Sequence, residues 1–87
     1  MYHVYVLKSR KDEKLYIGYT AKEVMERLEE HNSGKNKSTR PRIPFELVYY
    51  ESYRNKNDAA KREIELKKNN YQKEQLLKRI NNSLEDI

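Results

Sequence analysis

Residues 2–20 read YHVYVLKSRKDEKLYIGYT, two apolar runs separated by a polar one. Residues 2–7 and 15–20 are rich in Val, Ile, Tyr and Leu, while Lys8 to Lys14 is charged. The reading is a β-hairpin. Thr20 with Glu23 three residues later has the pattern of a capping box, and Gly34 stands where a helix-ending glycine belongs, so a helix is predicted over about 21–32. Residues 45–51, FELVYYE, predict a third strand. Asn57 is read as the cap of a helix running to about Lys68, which Asn69 and Asn70 break. A last helix, about 71–81, carries Leu76, Leu77 and Ile80 on one side. The expectation is a small α+β fold, a three-stranded mainly antiparallel sheet flanked by helices in the order β-β-α-β-α-α. It forms one domain over 1–81, with 82–87 as a frayed tail.

The chain has 87 residues, no Cys, and 19 Lys and Arg against 14 Asp and Glu, for a net charge of +5. That length allows a single small core. Without Cys there is no disulfide framework, thiolate metal site or cysteine nucleophile, and the cytosol is the default compartment. No apolar run is long enough to act as a signal peptide core or membrane span. A basic amphipathic helix with a bulky apolar face is also lacking, so a membrane surface is not an expected partner. The positive charge therefore suggests nucleic acid. It concentrates in 34–44, GKNKSTRPRIP, with four cations, no acid, and two prolines that argue against regular structure.

Helical periodicity shows which polar groups are turned toward the core. With Val24 at the origin of the first helix, Ala21 and Leu28 lie on one flank, while His31 is about 20° and Arg27 about 60° to the other. Glu26, Glu29 and Glu30 are expected to point to solvent. Arg27 and His31 are either a snorkelling stem and a boundary histidine, or a functional pair one turn apart. In the second long helix Ala59, Ala60, Ile64 and Leu66 define an apolar arc that includes Glu63, with Lys67 one turn on. A carboxylate there requires a partner. It is either an ion pair with Lys67 or Arg27, or a Mg²⁺ ligand completed by waters and phosphate oxygens. Tyr2, Tyr49, Tyr50, Tyr53 and Tyr71 are read as fillers of a thin core. Tyr5 and Tyr16, mid-strand in the hairpin, can aim their hydroxyls toward Arg27 and His31, and act as proton acceptors only if nearby cations lower their pKa.

Taken in order, His3-Val4-Tyr5, Tyr16-Ile17-Gly18, Arg27-x-x-x-His31-Asn32 and a downstream helical Glu63 resemble the GIY-YIG nuclease domain over nearly the whole chain. The stretches LYIGYT, EEHNSGK and FELVYYES look most like its small stand-alone bacterial members. The resemblance implies a metal-dependent endonuclease that hydrolyses DNA phosphodiester bonds, with structure-specific repair or processing as its setting. Tyr5 would be the general base or activator of the attacking water, supported by Tyr16. Arg27 would stabilise charge on the phosphate, His31 would orient a tyrosine or assist proton transfer, and Glu63 would hold one divalent ion, Mg²⁺ or Mn²⁺. His3 departs from the glycine of the family's name.

Two further readings concern the substrate. Gly18 is either a strand bulge or a place where backbone and phosphate approach closely. Lys35, Lys37, Arg40 and Arg42, extended by Lys67, form either a solvated surface or a sequence-tolerant phosphate track. The expected partner is nucleic acid, DNA in preference to RNA, and a protein partner would supply the specificity that so short a chain lacks. The competing hypothesis is a non-catalytic nucleic-acid-binding module that retains the fold.

Overall fold

The computed structural model describes residues 1–86. Strand β1 (Tyr2–Ser9) pairs antiparallel with β2 (Leu15–Thr20) on one side and with β3 (Phe45–Tyr53) on the other, giving the sheet order β2-β1-β3. Helix α1 (Val24–Asn32) lies between β2 and β3 in sequence, and α2 (Lys56–Lys68), α3 (Asn70–Arg79) and α4 (Asn81–Glu85) follow. The α+β class and element order agree with the sequence reading. Because β1 is central and covered on both faces, His3 to Leu7 are all buried, which is why that run does not alternate.

The two faces divide the core. Val4, Val6 and Ile17 meet Ala59, Leu66, Leu76 and Ile80 from the helices after β3. Tyr5 and Leu7 meet Val24 and Phe45, flanked by Tyr16, Leu28, Ile43 and Leu47. Fully burying a residue such as Leu66 is worth about 2 kcal/mol, so each face contributes to stability of the domain. Glu51 staples β3 to α2, accepting from Tyr49 Oη at 2.6 Å, Tyr53 Oη at 2.9 Å and Arg62 Nε at 2.5 Å.

Several local expectations are corrected. Helix α1 starts at Val24, not near 21, because Thr20 Oγ1 accepts from Lys22 N at 3.0 Å in a tight turn and Glu23 occupies the cap position. Helix α2 is capped by Asn55, whose side chain accepts from Asn57 N at 2.8 Å, so the cap lies two residues earlier than predicted. Asn69 ends α2 and caps α3, but Asn70 is the first residue of α3. The basic segment includes a 3-10 turn, Arg40–Arg42, with Pro41 in its first turn. The expected frayed tail is α4 as far as Glu85, and Leu84 packs against the core; Ile87 lies outside the described residues. Ile64 is 54% exposed, so α2 is narrower in its apolar contact than its periodicity implies, and Tyr50 and Tyr71 are exposed rather than core fillers. Gly34 does end α1, at φ +82°, with its N–H bonded to the His31 carbonyl at 3.2 Å.

Candidate active site

Alternation along the hairpin sends Tyr5 from β1 and Tyr16 from β2 to the face that α1 crosses, and α1 brings His31 onto them. The Tyr5 hydroxyl and His31 Nε2 are 2.8 Å apart in a buried hydrogen bond. The ring centroids of Tyr5 and Tyr16 are 6.3 Å apart, and that of His31 is 5.9 Å from Tyr5 and 5.1 Å from Tyr16, with Phe45 closing the cluster. Arg27, one turn before His31, lies beside the Tyr5 phenol, and Glu63 is within electrostatic reach of it. Lys67 Nζ is 5.9 Å from the centre of the Tyr16 ring and 3.1 Å from Glu63 Oε2. Residues from β1, β2, α1 and α2 that are far apart in sequence therefore converge at one place.

The electrostatics correct the expected state of the phenol. Burial pushes Tyr5 up to about 12, outweighing the opposing pull of Arg27. Tyr5 is thus a neutral phenol at pH 7, not a phenolate lowered by its cation. Burial, followed by the positive charge of Arg27, lowers the pKa of His31 and favours neutral imidazole. Burial tends to lower the pKa of Arg27, but Glu30 and Tyr5 together outweigh it and raise it.

Glu30 itself is misplaced by the wheel: it pairs with Lys22 and, at 2.9 Å, with Arg27, and its side chain is only 15% exposed. Lys22 comes from the turn before α1, which helical periodicity does not describe. Two other residues lie outside the sequence reading. Thr39 Oγ1 is 2.9 Å from His31 Nδ1, and Asn32 clamps the end of α1 to β3, with its side chain donating to the Phe45 carbonyl at 3.0 Å and accepting from Phe45 N at 2.8 Å. A lone Thr in a basic loop carries no local signal of such a role. Asn32 stands in the motif beside His31, and its role, the clamp to Phe45, depends on a strand 13 residues away.

The expected nucleic-acid contacts are only partly free for that purpose. Gly18 is buried opposite Tyr5 in an unbroken β1–β2 register, and the Tyr5 ring fills the space in front of it. Neither a bulge nor a phosphate approach accounts for this glycine; the Tyr5 side chain does. The register break lies elsewhere, between β1 and β3 at Val6 and Leu7. Arg42 is committed to the fold: Nε donates to Asp12 at 2.7 Å, Nη2 to the Leu15 carbonyl at 3.3 Å, and the guanidinium stands 5.4 Å from the Phe45 ring centre. Arg40 Nε donates to the Gly34 carbonyl at 2.8 Å yet remains exposed, like Lys35 and Lys37. His3 is turned toward β3, with Nδ1 2.6 Å from Ser52 Oγ and its ring edge on Tyr50, so it does not join the cluster around Tyr5.

Among the described residues no group of three or more His, Cys, Asp or Glu could enclose a metal ion. Glu63, partly buried and paired with Lys67, is a single hard oxygen donor near the phenol. That donor set fits a Mg²⁺ ion that keeps most of its waters, not a closed protein cage. No helix among the described residues is long and apolar enough to cross a membrane.

Comparison with known proteins agrees with this arrangement. The family model described as the GIY-YIG catalytic domain matches residues 1–81. A UPF0213 protein of Staphylococcus epidermidis is 49% identical over 78 residues, covering 88% of this chain and 90% of the relative. A UPF0213 protein of Staphylococcus aureus is 49% identical over 65 residues, covering 74% and 77%. No solved structure matches the chain.

Proposed function

Because the chain belongs to the GIY-YIG catalytic domain family, a nuclease superfamily acting on nucleic acid, we propose that it is a metal-dependent endonuclease hydrolysing DNA phosphodiester bonds. The observation that carries this reading is the buried Tyr5 to His31 hydrogen bond set beside Arg27, with Glu63 in reach.

A phenol with a pKa of about 12 is a poor free base but a serviceable relay. As the attacking water forms its bond to phosphorus, its proton moves to the Tyr5 oxygen while the phenol proton moves to His31 Nε2, leaving an imidazolium. The leaving oxygen takes a proton from water as it departs, and the imidazolium releases its proton through Tyr5 to solvent, so that water has added across the broken P–O bond and both residues return to their starting states. Tyr16, against both rings, holds this pair in place. Arg27, fixed by Glu30, faces the charge that develops on the phosphate. Glu63 would hold one Mg²⁺ or Mn²⁺ ion, which when bound polarises the phosphate and stabilises the leaving oxygen. Lys35, Lys37 and Arg40 supply backbone contacts, and a structure-specific role in repair with a specificity partner fits their indifference to base sequence.

In a panel of single-stranded, duplex, flap and junction DNA with Mg²⁺ or Mn²⁺, Glu63→Ala and Arg27→Ala are expected to lose cleavage while binding largely survives. Variants that nick DNA as fast as the parent would overturn the assignment. The Glu63–Lys67 and Arg27–Glu30 ion pairs are what the binding-only alternative requires. Metal titration followed by NMR separates the two readings: no response near Glu63 favours binding alone.

A further inference from the structure

His31 is 0% exposed, and both ring nitrogens are engaged, Nε2 by the Tyr5 hydroxyl at 2.8 Å and Nδ1 by Thr39 Oγ1 at 2.9 Å. A neutral imidazole carries one N–H, so one nitrogen donates and the other accepts. Two directions are available along the chain. If Thr39 donates to Nδ1, Nε2–H donates to Tyr5, whose own proton then points away from His31 toward the attacking water. If Nδ1–H donates to Thr39, Nε2 accepts from Tyr5 and the outward side of the phenol oxygen presents a lone pair. Only the second direction allows Tyr5 to receive a proton as it passes its own to His31.

The surroundings of Thr39 favour the second direction. Thr39 is 1% exposed, and its hydroxyl has another acceptor, the Asn36 carbonyl at 3.4 Å. Asn36 and Thr39 are held by a compact turn in which Arg40 N donates to the Asn36 carbonyl at 3.0 Å and Arg42 N to the Thr39 carbonyl at 2.9 Å. With its proton directed to Asn36, the Thr39 oxygen is left to accept. The charged side chains near the pair are Arg27 and Glu30 on α1 and Glu63 on α2; Lys67 lies over Tyr16, and none of these offers an alternative acceptor to Nδ1.

We propose that Thr39 is a positioning residue that fixes His31 in the Nδ1–H tautomer, so that Nε2 accepts the Tyr5 proton. Thr39 acts on the reaction through His31, as outer groups commonly do when they orient a histidine. This proposal rests on the reading of Tyr5 and His31 as a proton relay, but the tautomer is measurable without any cleavage.

The experiment is long-range ¹H–¹⁵N NMR of uniformly labelled protein, with His3 as the internal second histidine. The parent is expected to show His31 protonated at Nδ1 and bare at Nε2. Thr39→Val, which keeps the shape and removes the hydroxyl, is expected to shift His31 to the Nε2–H form or a mixture. Its kcat should fall about 10- to 100-fold with KM little changed, and Thr39→Ser should restore both tautomer and rate. A parent His31 protonated at Nε2, or a folded Thr39→Val with unchanged tautomer, overturns the proposal. If Thr39→Val does not fold, the parent and Thr39→Ser spectra still decide the tautomer. Absence of cleavage by the parent on every substrate would instead count against the nuclease reading.

Discussion

Replacing Gly18 with alanine tests the packing that holds the site together. Considered locally, the change should help, since alanine in a strand is about 0.5–1 kcal/mol better than glycine. Tertiary structure reverses the sign. An added Cβ would lie 2.4 Å from both Cζ and Oη of Tyr5 and 2.8 Å from Cε2, against 3.4 Å or more for ordinary contact. The ring must move by about 1 Å, yet it is 1% exposed and packed against Tyr16 and His31. Overpacking of this kind costs about 1–3 kcal/mol, and breaking the Tyr5–His31 bond adds about 1 kcal/mol. After the strand preference is subtracted, a net loss of about 1–3 kcal/mol remains, equivalent to about 5–20 °C in melting temperature for a domain of this size. Calorimetry and urea unfolding of the parent, Gly18→Ala, Tyr5→Ala and the double variant complete a cycle. With Tyr5 truncated, the alanine should be neutral or slightly stabilising. Gly18→Ala melting at or above the parent, or losing as much stability in the Tyr5→Ala background, would refute the steric argument.

Two further outcomes follow from the ion pairs and the basic loop. The Asp12 carboxyl is held at about 2 chiefly by Arg42, and that of Glu30 at about 2 by Lys22 and then Arg27. Both are depressed on folding, so their stabilisation is complete above the ordinary carboxylate range and is lost as pH falls from about 4.5 toward 2; Asp12→Asn with Glu30→Gln should flatten that part of the urea-midpoint profile, and an unchanged acid limb would show that the pairs contribute nothing. Lys37→Ala should leave the melting temperature unchanged and reduce the slope of log affinity against log salt by about 0.9, whereas Arg42→Ala should lower stability by about 1 kcal/mol through loss of its Phe45 contact; the opposite pattern in binding and melting assays would exchange their roles.

The hairpin, α1, β3 and the two long helices after it are legible in the sequence because each is written in local terms: β-branched and aromatic runs, helical periodicity, and glycine or asparagine at the boundaries. The same locality limits the reading. Helical angles place Glu30 toward solvent, but the turn preceding α1 brings Lys22 to it. They also place Ile64 in the apolar arc of α2, although the sheet covers a narrower strip centred on Ala59 and Leu66. The basic loop is visible as composition, but not the commitment of Arg42 to Asp12 and Phe45, a contact spanning 30 residues in the first case.

What the sequence determined by itself is therefore the set of elements, their order, and the chemical types of Tyr5, Tyr16, Arg27, His31 and Glu63 at spacings characteristic of one family. Tertiary structure decided their states. Enclosing Tyr5 between sheet and helix removes water from the phenol and keeps it neutral against the pull of Arg27; the ring's position, in turn, requires glycine at 18. Folding of the loop onto α1 gives His31 a second partner, Thr39, eight residues away. Charge state and hydrogen-bond direction depend on which groups exclude water from one another, and that is settled only when strands and helices distant in sequence have packed.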